Sequence, residues 1–77
     1  MLAQRVFLIT NKHVQYIKKI CFRGNYRTDI ELIDDPEEAL AFCNEEQAEE
    51  ILGILERRIS SGFHIIKHNF LINWPFD

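Results

Sequence analysis

Ala48, Ile51, Leu52, Leu55 and Ile59 recur at steps of three and four residues, so a helix gathers them on one face. Glu46, Glu49, Glu50, Glu56 and Arg57 fall elsewhere around the same cylinder and are expected in water. Asn44 marks the start, because its side chain can accept a bond from an orphan helix N–H, and Gln47 follows three residues later. Acidic residues crowd the first turn and Arg57 and Arg58 the last, as the helix dipole favours. Ser60-Ser61-Gly62 supplies a stop, with Gly62 free to adopt the left-handed conformation. Just upstream, Asp35 as cap, Pro36 at the first helical position and Glu38 three residues after the cap predict a second, short helix. Ala39, Leu40 and Phe42 then close one edge of the core as the chain enters the long helix.

Elsewhere the period shortens to two. Gln4 to Thr10 is apolar on both faces, Phe7 and Ile9 on one and Val6 and Leu8 on the other, which predicts a central strand covered on both sides. Asn11-Lys12-His13 is a turn candidate. Val14 to Phe22 places Val14, Tyr16, Ile20 and Phe22 on one face, interrupted by Lys18, and Gln15, Ile17, Lys19 and Cys21 on the other. Its β-branched and aromatic content favours a strand over the alternative, a short helix through Val14, Ile17 and Cys21. Arg23-Gly24-Asn25 is a loop, and Arg27 to Ile33 alternates as a third, short strand through Thr28, Ile30 and Leu32. After Gly62, Phe63 to Asn73 returns to strand, with Ile66, Phe70, Ile72 and Trp74 sharing a parity. A hairpin at Lys67-His68-Asn69 is the alternative, and it lacks a glycine. Pro75 stops the pairing.

The expected fold is a single α+β domain spanning residues 1–77: an antiparallel sheet in the order β-β-β-α-β, with one main amphipathic helix on one face. One helix covers one face, while the first and last strands offer apolar residues to both. A homodimer is therefore expected, with Trp74 and Phe76 beside the apolar second face. Two cysteines, Cys21 and Cys43, make no disulfide framework and point to a reduced, cytoplasmic setting. The longest early apolar run is Val6-Phe7-Leu8-Ile9, so neither a signal peptide nor a membrane span is expected.

Charge changes the picture most. The net charge of −3 conceals a segregation: residues 1–28 hold six basic side chains and no acidic one, and residues 29–56 hold eleven acidic side chains and no basic one. The layout resembles that of small orphan accessory proteins encoded by phages and prophages of Gram-positive bacteria. In those, a short β-meander leads into an acidic stretch like Asp34-Asp35-Pro36-Glu37-Glu38-Ala39-Leu40-Ala41-Phe42, then a capped helix like Asn44-Glu45-Glu46-Gln47-Ala48-Glu49-Glu50-Ile51, then a last strand. The similarity spans about residues 30–72. It implies a non-enzymatic accessory or host-interaction role and brings no catalytic residues.

Candidate chemistry narrows in the same direction. His64 and His68 with Cys21 and Cys43 make an inventory of two His and two Cys, but no C-x-x-C pair sets zinc spacing. No nucleophile motif accompanies either cysteine, and Gly24, Gly53 and Gly62 are too scattered to cradle a phosphate. The reading is therefore a non-enzyme without metal or cofactor. Its expected activity is binding an unidentified protein through Glu46, Glu49 and Glu50, with Trp74 and Phe76 as further contacts. The alternative is nucleic-acid binding by the basic, aromatic-bearing hairpin, through Lys12, Tyr16, Lys18, Lys19, Arg23, Tyr26 and Arg27.

Overall fold

The computed structural model describes residues 2–24 and 27–72. Strands β1 (Leu2–Asn11), β2 (Tyr16–Arg23) and β3 (Arg27–Ile33) precede a 3₁₀ turn (Pro36–Glu38), helix α1 (Glu45–Arg58) and strand β4 (Phe63–Ile72). The four strands form one antiparallel sheet in the order β3-β2-β1-β4. This is the α+β arrangement expected from the apolar pattern.

The first and last strands are the most regular part of the sheet. β1 and β4 pair without interruption from Leu2↔Ile72 to Asn11↔Phe63, which rules out a hairpin at Lys67-His68-Asn69. Both faces of β1 are buried: Val6, Leu8 and Ile9 are 2%, 0% and 1% exposed within a single chain. Ile9 packs with Ile17 and Leu55, joined by Ile51, Leu52, Phe63 and Ile65. Val6 and Leu8 lie on the opposite face, across from His68 and Ile66. Over that face runs the 3₁₀ turn, whose Glu37 Oε1 accepts a hydrogen bond from His68 Nε2 at 3.1 Å. The second apolar face thus has cover at Val6 and Leu8 from its own chain.

β2 leaves β1 almost at once. The pairing is limited to Thr10↔Tyr16, and that register, if continued, would bring Lys19 opposite Phe7. Phe42 occupies the place instead. Its N–H donates to Phe7 O at 2.9 Å, its carbonyl accepts from Phe7 N–H at 2.8 Å, and Leu40 N–H donates to Ile17 O at 2.9 Å. This corrects the expected helix after Asp35: only one 3₁₀ turn forms, and Asp35 Oδ1 caps it by accepting Glu37 N–H at 3.0 Å. Residues 40–42 stay extended because their backbone groups bridge the diverging strands, and a buried peptide group left without a partner is costly. Phe42 packs on the core as expected, whereas Leu40 is exposed.

Two further corrections concern the start of β2. Val14 belongs to the turn, not to the strand, and sits at φ 58. Asn11 dictates this: its Oδ1 accepts both His13 N–H and Gln15 N–H at 3.0 Å, and its carbonyl accepts Val14 N–H at 3.1 Å. The resulting three-residue loop demands a left-handed residue at its end. The second correction is a bulge between Ile17 and Lys19, where the β2–β3 register slips from Ile17↔Leu32 to Lys19↔Glu31. The extra residue, Lys18, resets the alternation, so Ile17 and Ile20 both pack toward Leu55. Without it they would point to opposite faces.

α1 matches its sequence signals closely. Asn44 Oδ1 accepts Glu46 N–H at 2.8 Å, and Ala48 and Leu55 are fully buried. Ile51 and Leu52 are half-buried. Its end differs. Ile59 is the C-cap and lies exposed, and of the described glycines only Gly24 takes a positive φ, so Gly62 is not the left-handed stop. The last turn closes through Ile59 N–H and Ser60 N–H, both donating to Leu55 O.

Candidate protein-binding surface

Eight carboxylates fall between Asp34 and Glu50, and all eight side chains are exposed. Local structure holds them firmly: the Asp35-capped turn carries Glu37 and Glu38, and the Asn44-capped helix carries Glu45, Glu46, Glu49 and Glu50. Among the described residues, Glu37 alone of these eight has an ion-pair partner, His68. Glu45 and Glu46 lie in the first turn of α1, where they offset the positive end of the helix dipole. Glu49 and Glu50 lie beyond that turn. They stand four residues after Glu45 and Glu46, so the helix carries two like-charge pairs at the i,i+4 spacing, each costing about 0.2–0.5 kcal/mol. A helix selected for stability alone would place lysines there.

The basic residues are arranged quite differently. Lys12 is in the β1–β2 turn, Lys18 on the bulge and Lys19 across from Glu31. Arg23 and Arg27 face each other at the end of the β2–β3 hairpin, and both grip Asp29, at 2.8 Å and 3.3 Å. Tyr16 is half-buried, and Tyr26 lies outside the described residues. The six described residues of the nucleic-acid reading, Lys12, Tyr16, Lys18, Lys19, Arg23 and Arg27, are therefore spread along the whole ribbon. Part of their charge is offset by β3, which brings Asp29 and Glu31 beside β2. The segregation along the sequence becomes cross-strand pairing in this hairpin. Glu46, Glu49 and Glu50 do come together, on neighbouring turns of α1, while Trp74 and Phe76 lie outside the described residues.

Cys21 and Cys43 are free thiols, Cys43 exposed and close to Gln4, whose Nε2 donates to its Sγ at 3.8 Å. Among the described residues no three His, Cys, Asp or Glu side chains group as metal ligands. A depression of about 180 Å³ is lined by Lys19, Cys21, Arg23, Asp29, Ile30 and Glu31, and a groove of about 410 Å³ by Phe22, Ile54, Arg57 and Arg58. That groove was missed in the sequence. Arg58 lies over the half-exposed Phe22 ring at 5.3 Å and donates to Thr28 Oγ1 at 3.2 Å, across a separation that no local pattern reveals. No helix among the described residues is long and apolar enough to cross a membrane. No protein-family model, curated protein or solved structure matches the chain.

Proposed function

We propose that this chain is a non-enzymatic accessory protein that binds a basic protein surface through the carboxylates of α1 and the turn before it. The observation that carries the reading is the pair of like-charge spacings, Glu45–Glu49 and Glu46–Glu50, exposed and without an ion-pair partner among the described residues. They cost stability, and their return is a surface that steers and orients a cationic partner. The resemblance to small phage- and prophage-encoded proteins supports a host protein as that partner. Two free thiols suit a cytoplasmic setting. The homodimer expected from the sequence would use the Trp74 and Phe76 end of the chain, since Val6 and Leu8 are already covered.

The test is capture from host lysate by the tagged chain and by the Glu49→Lys/Glu50→Lys variant. Proteins held by the wild-type chain, released by salt and absent from the variant support the reading. Equal capture by both would sink it. The comparison is clean because the variant is expected to be more stable than the wild type, so misfolding cannot account for a loss.

A further inference from the structure

The end of the molecule away from the carboxylates has its own character. α1 has 14 residues, so its arginine end stands about 20 Å from its acidic start. That is about two and a half times the Debye length at physiological salt, and the two ends act on ligands nearly independently there despite the net charge of −3. At this end the helix meets the tip of the β2–β3 hairpin. Arg58 Nη1 donates to Thr28 Oγ1 at 3.2 Å and to Gly24 O at 3.5 Å, which fixes its guanidinium over Phe22. Arg57 beside it makes no ion pair with a described residue. Arg23 and Arg27 flank the tip and share the single carboxylate of Asp29. Arg23 points away from Phe22, to the other face of the hairpin, where it shares a depression with Asp29 and Glu31, and Glu56 precedes Arg57 on the helix.

We infer that the groove lined by Phe22, Ile54, Arg57 and Arg58 binds single-stranded nucleic acid, with phosphates on the Arg57 and Arg58 guanidinium groups and a base against the stacked Arg58–Phe22 pair. Three features select this ligand. Guanidinium forks match phosphate oxygens in pairs. Phe22 is 45% exposed at the groove, and Ile54 extends its apolar floor, a platform that a base can cover and a carboxylate cannot. The volume of about 410 Å³ accommodates a nucleotide. The site differs from the dispersed lysines of β2: it needs the helix and the hairpin tip together.

The experiment is fluorescence anisotropy of a labelled 15-nucleotide oligo(dT) with the full chain in 50 mM salt. Arg57 and Arg58 are the two cations that line the groove, for which binding should weaken roughly sevenfold between 50 and 200 mM salt. Phe22→Leu, which keeps apolar packing under Arg58 but loses the ring, is expected to weaken binding about tenfold. Arg57→Gln should weaken it as well, Arg57→Lys should restore part of it, and Lys18→Gln should leave it unchanged. Circular dichroism confirms that each variant is folded, and Arg57, which makes no ion pair with a described residue, serves if Phe22→Leu is not. The inference is overturned by absence of binding at 50 mM salt, or by Arg57→Gln binding like the wild type. It is equally overturned if polyglutamate displaces the labelled strand as well as unlabelled oligo(dT) does, because the ligand would then be an acidic protein.

Discussion

Replacing Glu49 and Glu50 together by lysine removes two repulsive pairs from α1 and creates two attractive ones. In each, the glutamate precedes the lysine by four residues, the favourable orientation. Each pair moves from about 0.2–0.5 kcal/mol unfavourable to about the same favourable, so the change over both is about 1–2 kcal/mol. Lysine and glutamate have nearly equal helix propensity, and neither position is buried, so no other large contribution enters. Each kcal/mol shifts the melting temperature of a chain of this size by about 4–8 °C. Thermal denaturation followed by circular dichroism at low salt should show the variant melting higher by at least the lower of these figures. The gain should shrink in 1 M salt, where exposed charges are screened within about 3 Å. An unchanged or lower melting temperature at low salt would mean that Glu49 and Glu50 already meet cations in the folded chain. The argument that their charge is surplus to the fold would then fail.

Three perturbations test the fold beneath that surface. Leu55→Ala should cost about 2–5 kcal/mol in equilibrium denaturation, and Leu52→Ala distinctly less, because Leu55 is fully enclosed and Leu52 half-buried; equal costs would mean that α1 is rotated. Val14→Asn should stabilise by about 1 kcal/mol, since asparagine tolerates the left-handed conformation that costs an exposed valine about 1–2 kcal/mol; a loss of stability would place Val14 in an extended strand after all. Gly53→Ala should also stabilise by about 1 kcal/mol, because glycine is a poor residue within a helix and the new Cβ would come no nearer than 4.0 Å to Arg57 Nη1; a lower melting temperature would show that the helix packs closely there.

How much of this was legible in the sequence depends on how local its causes are. α1 could be read from Asn44 and the spacing of Ala48, Ile51, Leu52 and Leu55, because a cap and an apolar stripe act within a few turns. β1 could be read because a strand apolar on both faces has few places other than the middle of a sheet. Val14 was misplaced because its β-branched side chain favours a strand, whereas the Asn11 carboxamide sets the turn. The bulge left one trace, Lys18 interrupting an apolar face, but alternation cannot distinguish an exposed strand residue from an inserted one. Pro36 to Phe42 carried a sound helix start. It was overruled by backbone partners on β1 and β2 that lie far away in sequence. For the surface, the exposure of Glu46, Glu49 and Glu50 was readable from the helix period. The pairing of Arg23 and Arg27 with Asp29 and the meeting of Arg58 with Phe22 were not, because both depend on where the hairpin goes after it leaves β1.

The most direct measurement is amide chemical-shift mapping of the ¹⁵N-labelled chain on addition of the salt-released partner. The account predicts shifts concentrated from Asp34 to Glu50, centred on Glu46, Glu49 and Glu50, and lost in the Glu49→Lys/Glu50→Lys variant. Shifts centred instead on Phe22, Arg23, Arg57 and Arg58, with α1's first three turns unmoved, would contradict it.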